Sequence, residues 1–266
     1  MLNFDPARFL RIQTGTVTIA RDLGALVGRL VAEGADSLFF MGSGGAGILM
    51  QPAADLMRRG SKLPCHNVLC AEIVLTGHVA LGPKSVVIMP SLSGTTKESI
   101  AAMDYVKARG ATVISITGHA DTPLAKGADH AFVNFAEDDT SCEMFYVTSL
   151  VAALAVMQAR GERSDYDRII GELAGLPQQL LAVKQAFEPR ADALARAIAA
   201  DGWHIITGSG AAWPQAYYYG MCILEEMQWI RTRPVHASDF FHGTLELVEK
   251  GVSVVVFAGE DETRPL

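Results

Sequence analysis

Apolar positions along this chain switch repeatedly between helical and strand spacing. Over residues 6–33, Phe9, Leu10, Ile12, Ile19, Leu23, Leu26, Val27, Leu30 and Val31 recur at the three-and-four spacing of an amphipathic helix, which Gly34 stops. SLFFM at 37–41 is a short continuous apolar run, the pattern of a buried strand. GSGGAG at 42–47 then turns the chain into a second helical pattern with Ile48, Leu49, Ala53, Leu56 and Met57, ending at Gly60. Strand patterns follow at 67–70, 86–89, 112–116 and 130–135, and helical ones at 97–109 and 144–160. Beyond a polar join at 161–167, residues 169–200 read as helix with breaks at 175–177 and Pro189. A strand at 204–207 leads through Gly208-Ser209-Gly210 into a helix through Tyr219, Ile223 and Glu226, and a last strand covers 252–257. Strands alternate with helices and the joins are short, which predicts an α/β fold with a doubly wound parallel sheet.

The pattern also repeats. Gly42-Ser43-Gly44 and Gly208-Ser209-Gly210 each follow an apolar strand, 166 residues apart, and the strands starting at Val86 and Val252 share that offset. A constant offset predicts two copies of one α/β unit, here 1–164 and 165–266. The second copy has few residues after its last strand, so the chain is expected to hold it incomplete.

The most informative stretch is KSVVIMPSLSGTTKES at 84–99. A buried strand runs into Ser91, Ser93, Thr95 and Thr96, with Gly94 to turn the chain, and Thr95 or Thr96 is placed to cap the helix that follows. Hydroxyls, free backbone N–H groups and the positive helix end converge there, an arrangement suited to phosphate. The corresponding stretch of the second copy is AGEDET at 258–263, too acidic to hold an anion.

Composition narrows the choice of ligand. A net charge of −7 argues against a nucleic-acid surface. No apolar run approaches the roughly 20 residues of a membrane span, and MLNFDPARF lacks the pattern of a secretory signal, so a cytoplasmic protein is expected. Cys65, Cys70, Cys142 and Cys222 lack zinc spacing, and the seven histidines form no ligand pair, so no metal site is expected. Gly42, Gly44 and Gly47 also fit a dinucleotide-binding turn, with Glu72 beyond the next strand, but that reading leaves the repeated glycine turn and the hydroxyl loop without a purpose.

Together the GSG turn, the S-x-S-G-x-T loop and the duplicated unit resemble the sugar isomerase (SIS) family of phosphosugar-binding proteins. Glu226-Met227-Gln228-Trp229-Ile230 followed by Phe241-His242-Gly243-Thr244-Leu245 resembles the isomerase half of glucosamine-6-phosphate synthase, with the family's spacing of sixteen residues from Glu226 to His242. DFFHGTLE with the later GEDETRPL is similar to the fructosamine-6-phosphate deglycases. The resemblance implies two tandem SIS units, the second incomplete. It implies that Ser43, Ser91, Leu92, Ser93 and Thr96 hold the sugar phosphate, with Gly44 and Gly94 at the turns. Ser141 and Cys142, in a loop before the 144–160 helix, are further candidates for the sugar pocket. Glu226 would be the proton-shuttling base, kept partly dry by Leu224, Met227 and Trp229 and raised in pKa by Glu225. His242 would open the ring or act as general acid, with His236 second in rank. The implied reaction moves a proton from C1 to C2 of a 1-amino-ketose 6-phosphate, and water then splits the C1 imine into glucose 6-phosphate and an amine. Neither a redox cofactor nor a metal is needed. A homodimer with a shared site is implied as well. Ketose/aldose isomerisation without a glutaminase, or a non-catalytic phosphosugar sensor, are the alternatives.

Overall fold

The computed structural model describes residues 1, 4–137 and 140–266, and it divides into two units, one of Leu2–Leu181 and one of Ala182–Leu266 together with Met1. In the first, α1 (Pro6–Ala32) precedes β1 (Ser37–Gly42), α2 (Gly45–Ile48), α3 (Gln51–Gly60), β2 (Cys65–Leu69), α4 (Cys70–Thr76), β3 (Ser85–Ser91), α5 (Lys97–Lys107), β4 (Thr112–Thr117), α6 (Pro123–Gly127), β5 (His130–Val133), α7 (Ser141–Ala159) and α8 (Tyr166–Glu172). A 3-10 turn, Leu173–Gly175, leads into α9 (Leu176–Ala200), in which the division falls. The second unit continues with β6 (Trp203–Gly208), α10 (Trp213–Tyr218), a π-helical stretch Tyr219–Met227, β7 (Thr232–His236), α11 (Ala237–Phe240) and β8 (Val252–Phe257).

Five parallel strands in the order β2-β1-β3-β4-β5 form the first sheet. All residues of β1 and β3 are buried, which is why they read as continuous apolar runs rather than as alternation. Phe39, Met41, Val87 and Met89 pack on one side with Ile73, Ala102, Met103, Val106 and Leu124. Alternation turns Leu38, Phe40 and Ile88 to the other side, where they are as fully buried. The second sheet, β7-β6-β8, is also parallel.

Several expectations change. The boundary expected at 164 moves to 181, because Ile170, Leu173 and Leu176 pack on Ala20, Val147 and Val151 of the first unit. Pro189 lies inside α9 without ending it, whereas the break at Gly175 is present. The helix expected from Gly42 to Gly60 is two, α2 and α3, with Pro52 in the first turn of the second. Helix α4 and strand β7 were absent from the sequence reading. β7 carries Arg233 and Pro234, residues that a strand admits at a sheet edge, and β7 is an edge strand.

The apolar run at 144–160 also needs correction. As α7 it spans 19 residues and has the length and composition of a membrane-crossing helix, yet two thirds of it is buried inside the unit. It is apolar on every side because it packs against α1, α3 and α2.

Histidine chemistry at the sheet edge makes the first unit acid-sensitive. The His66 ring lies 4.6 Å from Phe39 and 4.3 Å from His78, and its Nε2 is buried without a hydrogen-bond partner among the described residues. Burial, and then repulsion from His78, lowers its pKa below 6.5. The folded state therefore favours the neutral ring. As the pH falls through the unfolded value, the unfolded chain binds the proton first and stability is lost. His66→Phe should flatten that loss. The urea midpoint measured at about pH 7.5 and about pH 5.5 should fall less in the variant than in the parent, and equal falls would refute the assignment.

Candidate functional site

Strand order fixes where a ligand can bind. The chain passes from β1 outward to β2, then returns to the other side of β1 with β3. The connections leave in opposite directions there and open a crevice at the carboxyl ends of β1 and β3, the usual ligand position in such sheets. The parallel register, Ser37 with Ser85 through Phe40 with Ile88, brings the glycine turn after β1 alongside the hydroxyl loop after β3.

The glycine turn depends on two close approaches. A Cβ at Gly42 would lie 2.6 Å from the Gly47 Cα, so both glycines serve strand–helix packing. Gly44 has φ +56 and the space over it is empty. Ser43 is half-buried, and the Cys70 thiol lies 3.8 Å from the Ser99 hydroxyl. Burial pushes the Cys70 thiol up, against the pull of Ser99 and Ser43, so it stays protonated beneath the turn.

The hydroxyl loop is held from both ends. Ser91 ends β3 and is buried. Its Oγ accepts the Gly94 N–H at 3.2 Å and lies 3.0 Å from Thr96 Oγ1. Thr96 occupies the N-cap of α5, but its side chain makes no capping hydrogen bond there, so the first N–H groups of α5 keep no side-chain cap. Thr95 donates its N–H and hydroxyl to Ser93 Oγ at 3.3 and 3.0 Å. Gly118 N–H donates to the Leu92 carbonyl at 3.0 Å, and Leu124 N–H to the Gly94 carbonyl at 3.1 Å. Gly94, at φ +63, sits against Thr122, whose Oγ1 would be 2.2 Å from an added Cβ. Thr122 donates its hydroxyl to the His119 carbonyl and caps α6. These supports from the β4–α6 connection were missed in the sequence, although Thr122-Pro123 is a helix-start signal that could have drawn attention to them.

Ser43, Ser91, Leu92, Ser93, Thr96, Gly44 and Gly94 thus belong to two neighbouring turns of one sheet edge. Ser141 and Cys142 are not in a loop: they are the first two residues of α7, with Ser141 buried and the Cys142 thiol 3.0 Å from Glu143 Oε2.

Glu226 and His242 belong to the second unit. Glu226 lies near the end of the π-helical stretch, and its side chain is exposed. The expected shielding is corrected: Met227 is half-exposed and Trp229 is 89% exposed, so neither dries the carboxylate within this chain. Only Leu224 of the three is buried. Glu225 is not poised against Glu226 but accepts a hydrogen bond from the Thr232 hydroxyl at 2.6 Å. With Trp229, Ile230, Arg231 and Thr232 it lines a cavity of about 280 Å³. Trp229 is the single described non-glycine residue with positive φ, +57, in the turn that follows the helix. His242 is exposed, its N–H bonded to the Asp239 carbonyl. His236 is instead engaged: its Nδ1 accepts the Ser238 N–H at 3.2 Å and its ring stands edge-on to Trp213. That leaves His242, among the two, with an imidazole free of hydrogen bonds among the described residues. Trp213 stacks on Tyr217 at 5.5 Å, as packing aromatics do.

Residues 33–160 match the SIS domain. The chain is 30% identical over 256 residues to fructosamine deglycase FrlB of Bacillus subtilis (strain 168), covering 94% of this chain and 77% of that one. It is 26% identical over 242 residues to fructoselysine 6-phosphate deglycase of Escherichia coli (strain K12), covering 90% and 70%. The C-terminal domain of glucosamine-fructose-6-phosphate aminotransferase from Francisella tularensis superposes with a TM-score of 0.86 over 98% of this chain and 76% of that one, at 18% identity, a likeness of fold. With the SIS domain matched over residues 33–160 and a deglycase relative aligned along nearly its whole length, the chain belongs to the SIS family.

Proposed function

We propose that the chain is a phosphosugar deglycase acting on a fructosamine 6-phosphate. One observation carries the reading: the Ser91–Thr96 loop stands beside the glycine turn at the carboxyl ends of β1 and β3 in a chain that aligns over 94% of its length with a fructosamine deglycase. The phosphate is remote from C1 and C2, and its binding energy serves to position the reacting carbons. Ser43, Ser91, Ser93 and Thr96 supply hydroxyls to it, and the backbone around Leu92 and the first turn of α5, which has no side-chain cap, supply N–H groups.

The reaction needs a base at C1. Glu226 removes the C1 proton, giving an enolamine, and the proton returns at C2. The resulting C1 imine takes up water and releases the amine, leaving glucose 6-phosphate. His242 gives and takes protons at the ring and carbonyl oxygens, a role that an imidazole, with a donor and an acceptor nitrogen, can fill. A carboxylate left in water is a weak base for carbon acids. The exposure of Glu226 and His242 therefore favours a site that a second copy of the chain completes, and a homodimer is part of the proposal.

The chain is also read as two tandem SIS units. Supporting this, β6 stands between β7 and β8 as β1 stands between β2 and β3. Each central strand ends in a Gly-Ser-Gly turn whose last glycine has positive φ, +56 at Gly44 and +51 at Gly210.

Three outcomes are expected. In a coupled assay, fructoselysine 6-phosphate should yield glucose 6-phosphate and lysine. A panel of other phosphorylated fructosamines is run beside it, and release from none of them removes the proposal. Glu226→Gln should lower kcat by about a hundredfold to ten-thousandfold while substrate still binds; a fully active variant unseats Glu226 as base. Ser91→Ala combined with Ser93→Ala should weaken binding of sugar phosphate by roughly 10- to 100-fold and leave binding of the unphosphorylated sugar nearly unchanged. Equal losses on both would make the loop a structural element only.

A further inference from the structure

The second sheet has a switch crevice of its own, and something fills it. β6 pairs with β7 on one side and β8 on the other, so the turn after β6 and the loop after β8 lie alongside, with Gly208 opposite Phe257 in register. In the first unit the space over the corresponding glycine, Gly44, is empty. Over Gly210 it is not: a Cβ there would lie 2.3 Å from Asp261 Oδ2 and 2.3 Å from Thr263 Oγ1. The Asp261 carboxylate accepts the Ala211 N–H on Oδ2 at 2.9 Å. On Oδ1 it accepts the Thr263 N–H at 3.0 Å and the Thr263 hydroxyl at 2.5 Å. Ser209, buried at the place that Ser43 occupies in the first unit, donates its hydroxyl to the Thr263 carbonyl at 3.0 Å.

We infer that Asp261 is the resident anion of the second glycine turn. It does there what a bound phosphate does at the first: it places negative charge against a turn N–H at the start of a helical run. The chain accordingly offers one anion site to ligands and has closed the other with its own side chain. The closed site has become an anchor. A 3-10 turn, Gly210–Ala212, leads directly into α10 and then into the π-helical stretch Tyr219–Met227, which carries Glu226. Asp261 is in this sense a positioning residue, which touches no reacting atom and fixes the origin of the element bearing the base. The catalytic part of the inference rests on the deglycase proposal; the anion part does not.

The test is replacement of the internal anion by an external one. Asp261→Gly removes the carboxylate and leaves room for a small ion, and Asp261→Asn keeps one acceptor without the charge. Melting temperatures are measured for parent and variants against inorganic phosphate, with sodium chloride at matched ionic strength as control. Both variants should melt lower than the parent, by roughly 4 °C or more for Asp261→Gly. Phosphate should raise the melting temperature of Asp261→Gly more than that of the parent, whose second crevice is already filled. If Asp261→Gly folds only in phosphate, that supports the inference; if it folds in neither, the same comparison is made on Asp261→Ala, which also vacates the space over Gly210. Phosphate increments no larger than the parent's overturn it. On active protein, Asp261→Asn should lower kcat with less than a twofold change in KM, because the sugar phosphate is held by the first unit. An inactive parent would remove the deglycase proposal and leave the phosphate comparison intact. A kcat equal to the parent's would overturn the positioning role.

Discussion

The parallel pairing of β1 with β3 is the constraint on which the rest of the first unit depends. It brings two loops together that lie about 50 residues apart in sequence, and it does so at the edge where helix N-termini point. Each loop is then fixed by local means. Contact between Gly42 and Gly47 holds the first turn close to the sheet, and inward hydrogen bonds from Gly118 and Leu124 hold the second. The Leu92 and Gly94 carbonyls are thereby turned toward the protein, while the hydroxyls of Ser91, Ser93, Thr95 and Thr96 bond within the loop itself.

Much of this was legible in the sequence, for a physical reason. Strands buried on both faces leave unbroken apolar runs, and glycine at a close approach cannot be replaced without collision. β1, β3, β4 and β6 announced themselves in that way, as did the two glycine turns. What escaped detection lacks such a signature. β7 is an edge strand with Pro234 and Arg233, and its strand character comes from pairing with β6 alone. The π-helical stretch keeps near-helical spacing, so its wider winding is invisible to periodicity. Supports such as Thr122 and Cys70 act through tertiary contact with residues distant in sequence.

The exposure of Glu226 is the most instructive correction. Leu224, Met227 and Trp229 look like a dry surround when read along the chain, yet residues near in sequence on a helix point in different directions. Leu224 faces inward and Glu226, Met227 and Trp229 face out. Hydrophobic neighbours in sequence are therefore a poor guide to desolvation. Desolvation of a side chain has to be read from its own exposure, which the folded chain gives and sequence proximity does not.

Helix α7 has a consequence for how the chain is made. Its 19 residues are long and apolar enough to cross a lipid bilayer, by length and composition. Its principal cover in the folded unit is α1, and α1 lies more than a hundred residues nearer the N-terminus. During synthesis, α1 and the first four strands have left the ribosome before α7 begins to emerge. The order of the chain thus puts the surface that covers α7 outside the ribosome ahead of α7 itself.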